Sequence, residues 1–126
     1  MIKEGWIFPG QGAQYPGMGR DFAESFEEAR AVFSQADAIL EVPLSEWIFD
    51  ADSQRVNATD VAQPGIFVTS VAICTVLRKR FDRTPSNDGF TAGLSLGEYT
   101  ALWAAGALSF EEALKTVRLR GIYMQA

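Results

Sequence analysis

The chain has 126 residues, 48% hydrophobic and 21% charged, which is the size and balance of one globular domain with a real core. A net charge of −5 and the lack of any long basic run argue against nucleic acid as the main partner. One cysteine excludes an internal disulfide framework, and with no histidine no metal site of the usual zinc ligands is expected.

No N-terminal segment has the length and flanks of a signal peptide or membrane span, so a cytoplasmic protein is expected. Gly5-Trp6-Ile7-Phe8 is a short apolar run ending at Pro9, and it reads as a buried strand of a parallel sheet. The loop Pro9 to Gly19 is rich in glycine and invites a phosphate-binding reading. Met18 and Gly19 stand where a P-loop needs Lys and Ser/Thr, and Tyr15 replaces the third glycine of a dinucleotide fingerprint. The remaining readings are a backbone loop offering N–H donors beside a strand end, or a plain tight connection.

From Arg20 to about Leu40, apolar residues recur at spacings of three and four, which predicts one or two amphipathic helices. Pro43 interrupts, and Ser45 is a candidate cap for a short helix through Trp47 and Phe49. Residues 50–60 are polar and aperiodic and read as a surface loop. Pro64 suits the first turn of a helix running to about Phe81, with Phe67, Val71, Cys74, Leu77 and Phe81 forming one seam. Within that seam Cys74 reads as core packing. Gln63 is polar at the mouth of this helix, either capping it or lining a site. Arg78-Lys79-Arg80 with Arg83 reads as a solvated helix end, or as a dock for an acidic partner. A breaker-rich loop, 82–89, then delivers the chain to a second strand.

Phe90 to Tyr99 is a strand running into Gly93-Leu94-Ser95-Leu96-Gly97, a Gly-x-Ser-x-Gly turn, with a helix leaving it. In such an elbow the serine sits on a strained strand-to-helix turn that small flanking residues make room for. The helix start directs free N–H groups and its positive dipole end at the serine, where they stabilise negative charge on a substrate oxygen. Ser95 is the candidate nucleophile. The next helix ends at Gly106, and Ser109-Phe110-Glu111-Glu112 has the form of a capping box starting a last helix. Its apolar side runs through Phe110, Ala113, Leu114, Val117, Gly121 and Met124. Arg120 falls at the border of that side, where a half-buried guanidinium wants a carboxylate from the protein or from a substrate. The order of elements describes a parallel α/β core, with the glycine loop and Ser95 both at the carboxyl ends of strands.

Four stretches together carry a family resemblance: Phe8-Pro9-Gly10-Gln11-Gly12-Ala13-Gln14, Gln63-Pro64, Gly93 to Tyr99, and Arg120-Gly121-Ile122-Tyr123-Met124-Gln125. In order and spacing the chain resembles malonyl-CoA:acyl carrier protein transacylases over its whole length. That resemblance implies the fold of an acyltransferase large subdomain, α/β-hydrolase-like, with residues 1–126 as its N-terminal part and a ferredoxin-like small subdomain missing. It implies transfer of a malonyl group from malonyl-CoA to the thiol of acyl carrier protein through a serine ester, in fatty acid or polyketide synthesis. Ser95 would be the nucleophile, and the backbone N–H groups of Gln11 and Leu96 the oxyanion donors. Arg120 would grip the free malonyl carboxylate, and Gln63 would lie near the site. Malonyl-CoA is then a substrate, and no cofactor is implied.

Two departures from the family pattern stand out. Leu94 occupies the place of a histidine that usually precedes the serine, and the family's general-base histidine lies beyond residue 126. The resemblance thus implies a chain that cannot turn over alone, completed by the rest of the same enzyme. The start at Met1, close to the first strand, favours a free-standing protein over a synthase module. Two other readings remain open from the residues: a serine hydrolase or thioesterase of α/β-hydrolase type, and a non-catalytic acyl- or carrier-binding fragment.

Overall fold

A computed structural model describes residues 4–84 and 89–126. Strands β1, Gly5–Phe8, and β2, Phe90–Gly93, pair in parallel, with Gly5 opposite Phe90 and Phe8 opposite Gly93. Between them lie α1 (Arg20–Ser25), α2 (Glu27–Leu40), α3 (Leu44–Phe49), a 3-10 turn at Arg55–Asn57 and α4 (Thr59–Phe81). After β2 come α5 (Leu96–Ala104) and α6 (Phe110–Gln125). The class is α/β as expected, but mostly helical, with a two-stranded sheet among the described residues. The predicted loop 82–89 falls partly outside the described residues.

The amphipathic stretch after Arg20 resolves into two helices because Phe26 adopts an extended backbone, φ −131°, between them. In α2 the period-four residues Ala29, Val32, Phe33 and Ala36 are buried, as the pattern predicts. Ser45 does not cap α3. It lies inside that helix and gives both its N–H and its hydroxyl to the Asp37 carboxylate, while Pro43 precedes the first turn. The polar stretch 50–60 is also shorter as a loop than expected, because α4 begins at Thr59.

Pro64 therefore lies inside α4 rather than in its first turn. A proline there removes the N–H that would bond the carbonyl of Asp60 one turn earlier. Arg118 of α6 supplies the missing donor: its Nη1 donates to the Asp60 carbonyl and, at 3.2 Å, to the Asp60 carboxylate. The helix keeps its proline by borrowing a guanidinium from its neighbour. Every residue from Val61 to Ala72 is buried, so α4 is enclosed all round instead of presenting one seam. Phe67 and Cys74 are buried members of the predicted seam, whereas Phe81 is 58% exposed. Full burial of a side chain such as Phe67 contributes about 1.5–3 kcal/mol, and burial pushes the Cys74 thiol pKa up. By length and composition α4 could cross a membrane, yet 72% of its most apolar window is buried in the protein, as in a core helix.

Ser109 caps α6, its Oγ accepting from the Glu112 N–H at 3.1 Å. The apolar side of α6 holds at Ala113, Leu114, Val117 and Gly121, all buried, but fails at Met124, which is 55% exposed. Gly121 is where α6 meets α4: a Cβ there would lie 2.8 Å from the Thr59 carbonyl oxygen and 3.0 Å from Asp60 Cα. The basic cluster is only partly solvated. Arg80 pairs with Glu28, Arg83 with Glu4, and Arg78 donates to the Ala104 carbonyl at 3.1 Å.

Trp6 and Phe8 turn toward the helices, while Ile7 and Phe90 on the other face are 75% and 59% exposed. Parallel strands are normally covered on both faces, so this face carries apolar surface of the kind expected of an incomplete sheet.

Candidate active site

The two strands end side by side, and each delivers a loop to the same place. After β2 the backbone reverses at Ser95 with φ 58° and ψ −115°, a strained conformation for a residue with a Cβ. The turn closes because its glycines are pressed against backbone. A Cβ on Gly93 would fall 2.1 Å from the Gly97 carbonyl oxygen, and one on Gly97 would fall 2.3 Å from the Phe8 carbonyl oxygen. Any larger residue at either position would force β1, β2 and α5 apart. Ser95 immediately precedes α5, so the helix start and its positive dipole end face the hydroxyl.

The glycine loop after β1 comes to the same point. A Cβ on Gly10 would lie 2.8 Å from the Leu94 carbonyl oxygen and 3.8 Å from the Leu96 nitrogen, which puts Gln11 beside the elbow. Neither the Gln11 nor the Leu96 backbone N–H has a hydrogen-bond partner among the described residues. Two free donors next to a strained serine are suited to hold an oxyanion.

Arg120 reaches this serine from α6. Its Nη2 donates to Ser95 Oγ at 2.7 Å and its Nη1 to Gln63 Oε1 at 2.6 Å. The guanidinium also lies 5.7 Å from the centroid of the Tyr99 ring, one turn into α5. Four other arginines pair with carboxylates, Arg20, Arg80, Arg83 and Arg118; Arg120 has no such pair among the described residues. An uncompensated, half-buried guanidinium beside a strained serine is suited to pair with a carboxylate.

Gln63 is fully buried on α4, not at its mouth. Its Nε2 donates to Gln11 Oε1 at 3.0 Å and lies 3.8 Å from Met124 Sδ. Gln11 Nε2 in turn donates to Thr59 Oγ1 at 3.1 Å. Of the five residues singled out from sequence, four are joined in one hydrogen-bonded chain, and Leu96 sits next to it in the backbone. Thr59 and Tyr99 were not singled out for roles: Thr59 fell in a stretch read as loop, and Tyr99 in the helix after the elbow. Leu94 is 86% exposed, so its side chain makes little contact with this chain. An open groove of about 690 Å³ runs beside β2 and α5, lined by Gly93, Glu98, Tyr99 and Leu102 among others, but Ser95, Gln11 and Arg120 do not line it.

A parallel strand pair ends in a strained serine with two free N–H groups beside it, an arrangement suited to acyl transfer. The chain belongs to the acyl transferase domain family, whose model matches residues 5–126. Its relatives within that family include transacylases. It is 45% identical over 124 residues to the malonyl CoA-acyl carrier protein transacylase of Bacillus subtilis strain 168, covering 98% of this chain and 38% of that protein. The acyl-carrier-protein S-malonyltransferase of Bartonella henselae superposes with a TM-score of 0.91 at 38% identity, over 99% of this chain and 40% of that one. A malonyl-transacylase solved in complex with a type II polyketide acyl-carrier protein superposes with a TM-score of 0.88 at 36% identity, over 98% and 39%. The 126 residues thus span about two fifths of the length of these relatives.

Proposed function

We propose that this chain carries the serine and carboxylate-binding half of a malonyl-CoA:acyl carrier protein transacylase. The observation that carries the reading is the Arg120 guanidinium, without a carboxylate pair among the described residues and 2.7 Å from Ser95 Oγ. Ser95 Oγ attacks the thioester carbonyl of malonyl-CoA, and the oxyanion is held by the Gln11 and Leu96 N–H groups. The coenzyme A thiolate leaves, and a malonyl ester remains on Ser95. Arg120 holds the distal carboxylate, which orients the acyl group for attack by the carrier protein's thiol rather than by water. Residues 1–126 form part of the large, α/β-hydrolase-like subdomain, with the small ferredoxin-like subdomain contributed by the rest of the enzyme.

The serine proton needs an acceptor. The chain has no histidine, and the group bonded to Ser95 Oγ is a donor. Positioned proton transfer is worth about 10²–10⁴-fold in rate, so this chain by itself acylates slowly. Incubation with malonyl-CoA followed by intact-mass and peptide analysis tests the reading. Slow, sub-stoichiometric malonylation at Ser95, abolished in Ser95→Ala and absent with acetyl-CoA, is expected. Equal reaction with acetyl-CoA refutes the role of Arg120, and fast stoichiometric malonylation refutes the external base.

A further inference from the structure

The four hydrogen bonds that run from Ser95 back through the protein have a direction, and that direction is imposed chemically. A guanidinium can only donate. Gln63 must therefore turn its oxygen to Arg120 and its NH₂ to Gln11, and Gln11 must then accept with its oxygen and turn its own NH₂ outward. The chain of donors ends on Thr59 Oγ1, the one acceptor that the Gln11 NH₂ has among the described residues. We propose that Thr59 is a positioning residue for the carboxylate site, holding Gln11 and through it the buried Gln63 in the orientation that points Arg120 at Ser95.

The packing around Thr59 makes it a fixed anchor. Gly121, the residue after Arg120, brings α6 to within 2.8 Å of the Thr59 carbonyl oxygen, measured to a Cβ built on the glycine. On either side of that contact, Arg118 holds the Asp60 carbonyl and Gln125 Oε1 accepts from the Asp60 N–H at 3.0 Å. The helix that carries Arg120 is thus pinned to the same turn of α4 that carries the relay's last acceptor. Without the Thr59 hydroxyl, the exposed Gln11 side chain is free to leave for water. Gln63 then keeps only a weak sulfur contact for its NH₂, and its grip on Arg120 loosens.

This inference rests on reading Arg120 as the carboxylate site, and the experiment separates the two. The full ¹⁵N-labelled chain, Thr59→Val and Thr59→Ser are compared by hydrogen exchange of the Gln63 carboxamide and by titration with malonate followed at the Arg120 guanidinium. In Thr59→Val, Gln63 carboxamide protection falls and malonate binds about three- to tenfold more weakly, the worth of one hydrogen bond. In Thr59→Ser, which keeps the hydroxyl, both return to wild type, and backbone exchange of residues 65–72 is unchanged in every variant. Thr59→Ala reads the same link if the valine variant does not fold. Unchanged Gln63 protection in Thr59→Val, or loss that the backbone of α4 shares equally, overturns the proposal. Failure of the wild-type chain to bind malonate overturns the carboxylate reading instead, and Thr59 is then judged on carboxamide protection alone.

Discussion

Gly121→Ala sets two known effects against each other. Alanine in a helix interior is favoured over glycine by about 0.8–1.0 kcal/mol from helix propensity alone. Against that, the new Cβ lies 2.8 Å from the Thr59 carbonyl oxygen, 3.0 Å from Asp60 Cα and 3.3 Å from Gln63 Cβ. Two of these three are backbone, so relief requires α6 to move off α4 rather than one side chain to turn. Overpacking of this kind costs about 1–3 kcal/mol. The net expectation is destabilisation by up to about 2 kcal/mol, read by urea denaturation as a lower midpoint with unchanged slope. Gly106→Ala provides the contrast: its φ of 83° penalises a side chain, but nothing lies within 4 Å of the added Cβ, so its loss is conformational and leaves amide exchange at residues 59–60 as it was. A Gly121→Ala variant about 1 kcal/mol more stable than wild type would show propensity alone at work, and the close helix contact would be wrong.

Ser95→Gly relaxes the positive-φ strain, so it raises stability by about 1 kcal/mol while removing the proposed nucleophile; equal or lower stability by urea denaturation would show that the elbow stores no strain. Arg118→Met strands the Asp60 carbonyl and costs about 1–3 kcal/mol in the native background, but less when Pro64→Ala restores an N–H to that carbonyl. A double-mutant cycle with no coupling would refute the borrowed-donor account of Pro64. For Glu28, its hydrogen bond with Arg80 holds the carboxyl below its ordinary value of 4.5. A lowered folded pKa gives stability that is present above about 4.5 and lost as pH falls through the folded value. The melting-temperature advantage of wild type over Glu28→Gln is thus small, being solvent-screened, present at neutral pH and gone in acid. An advantage that grows in acid would reverse the assigned sign.

Local rules reached far into this chain wherever the cause was itself local. The β1 run, the core face of α2, the Ser109 cap and the Gly-x-Ser-x-Gly elbow each follow from a period or a spacing of a few residues. Ser95, Arg120 and Gln63 were singled out for the same reason, as unusual residue types at those places, whereas Gln11 and Leu96 came only from the family resemblance. Errors came where a distant element supplied what the local sequence lacked. Pro64 reads as a helix start because a proline lacks its N–H, and nothing within reach of it in sequence reveals that Arg118 replaces that donor. Thr59 and Asp60 read as loop because their polarity is spent on distant elements, Thr59 on Gln11 of the glycine loop and Asp60 on Arg118 and Gln125 of α6.

The sequence by itself determined most of the elements and marked the place of the serine elbow, since glycine room, helix caps and a serine at a turn are properties of short stretches. Only the tertiary structure decided that four polar residues form one directed chain ending at Thr59. The physical reason is that a hydrogen bond's polarity depends on which partner arrives, and here each bond joins two different elements. Arg120 could have been one more solvated arginine. Close packing at Gly121 and a buried amide at Gln63 are what aim it at Ser95.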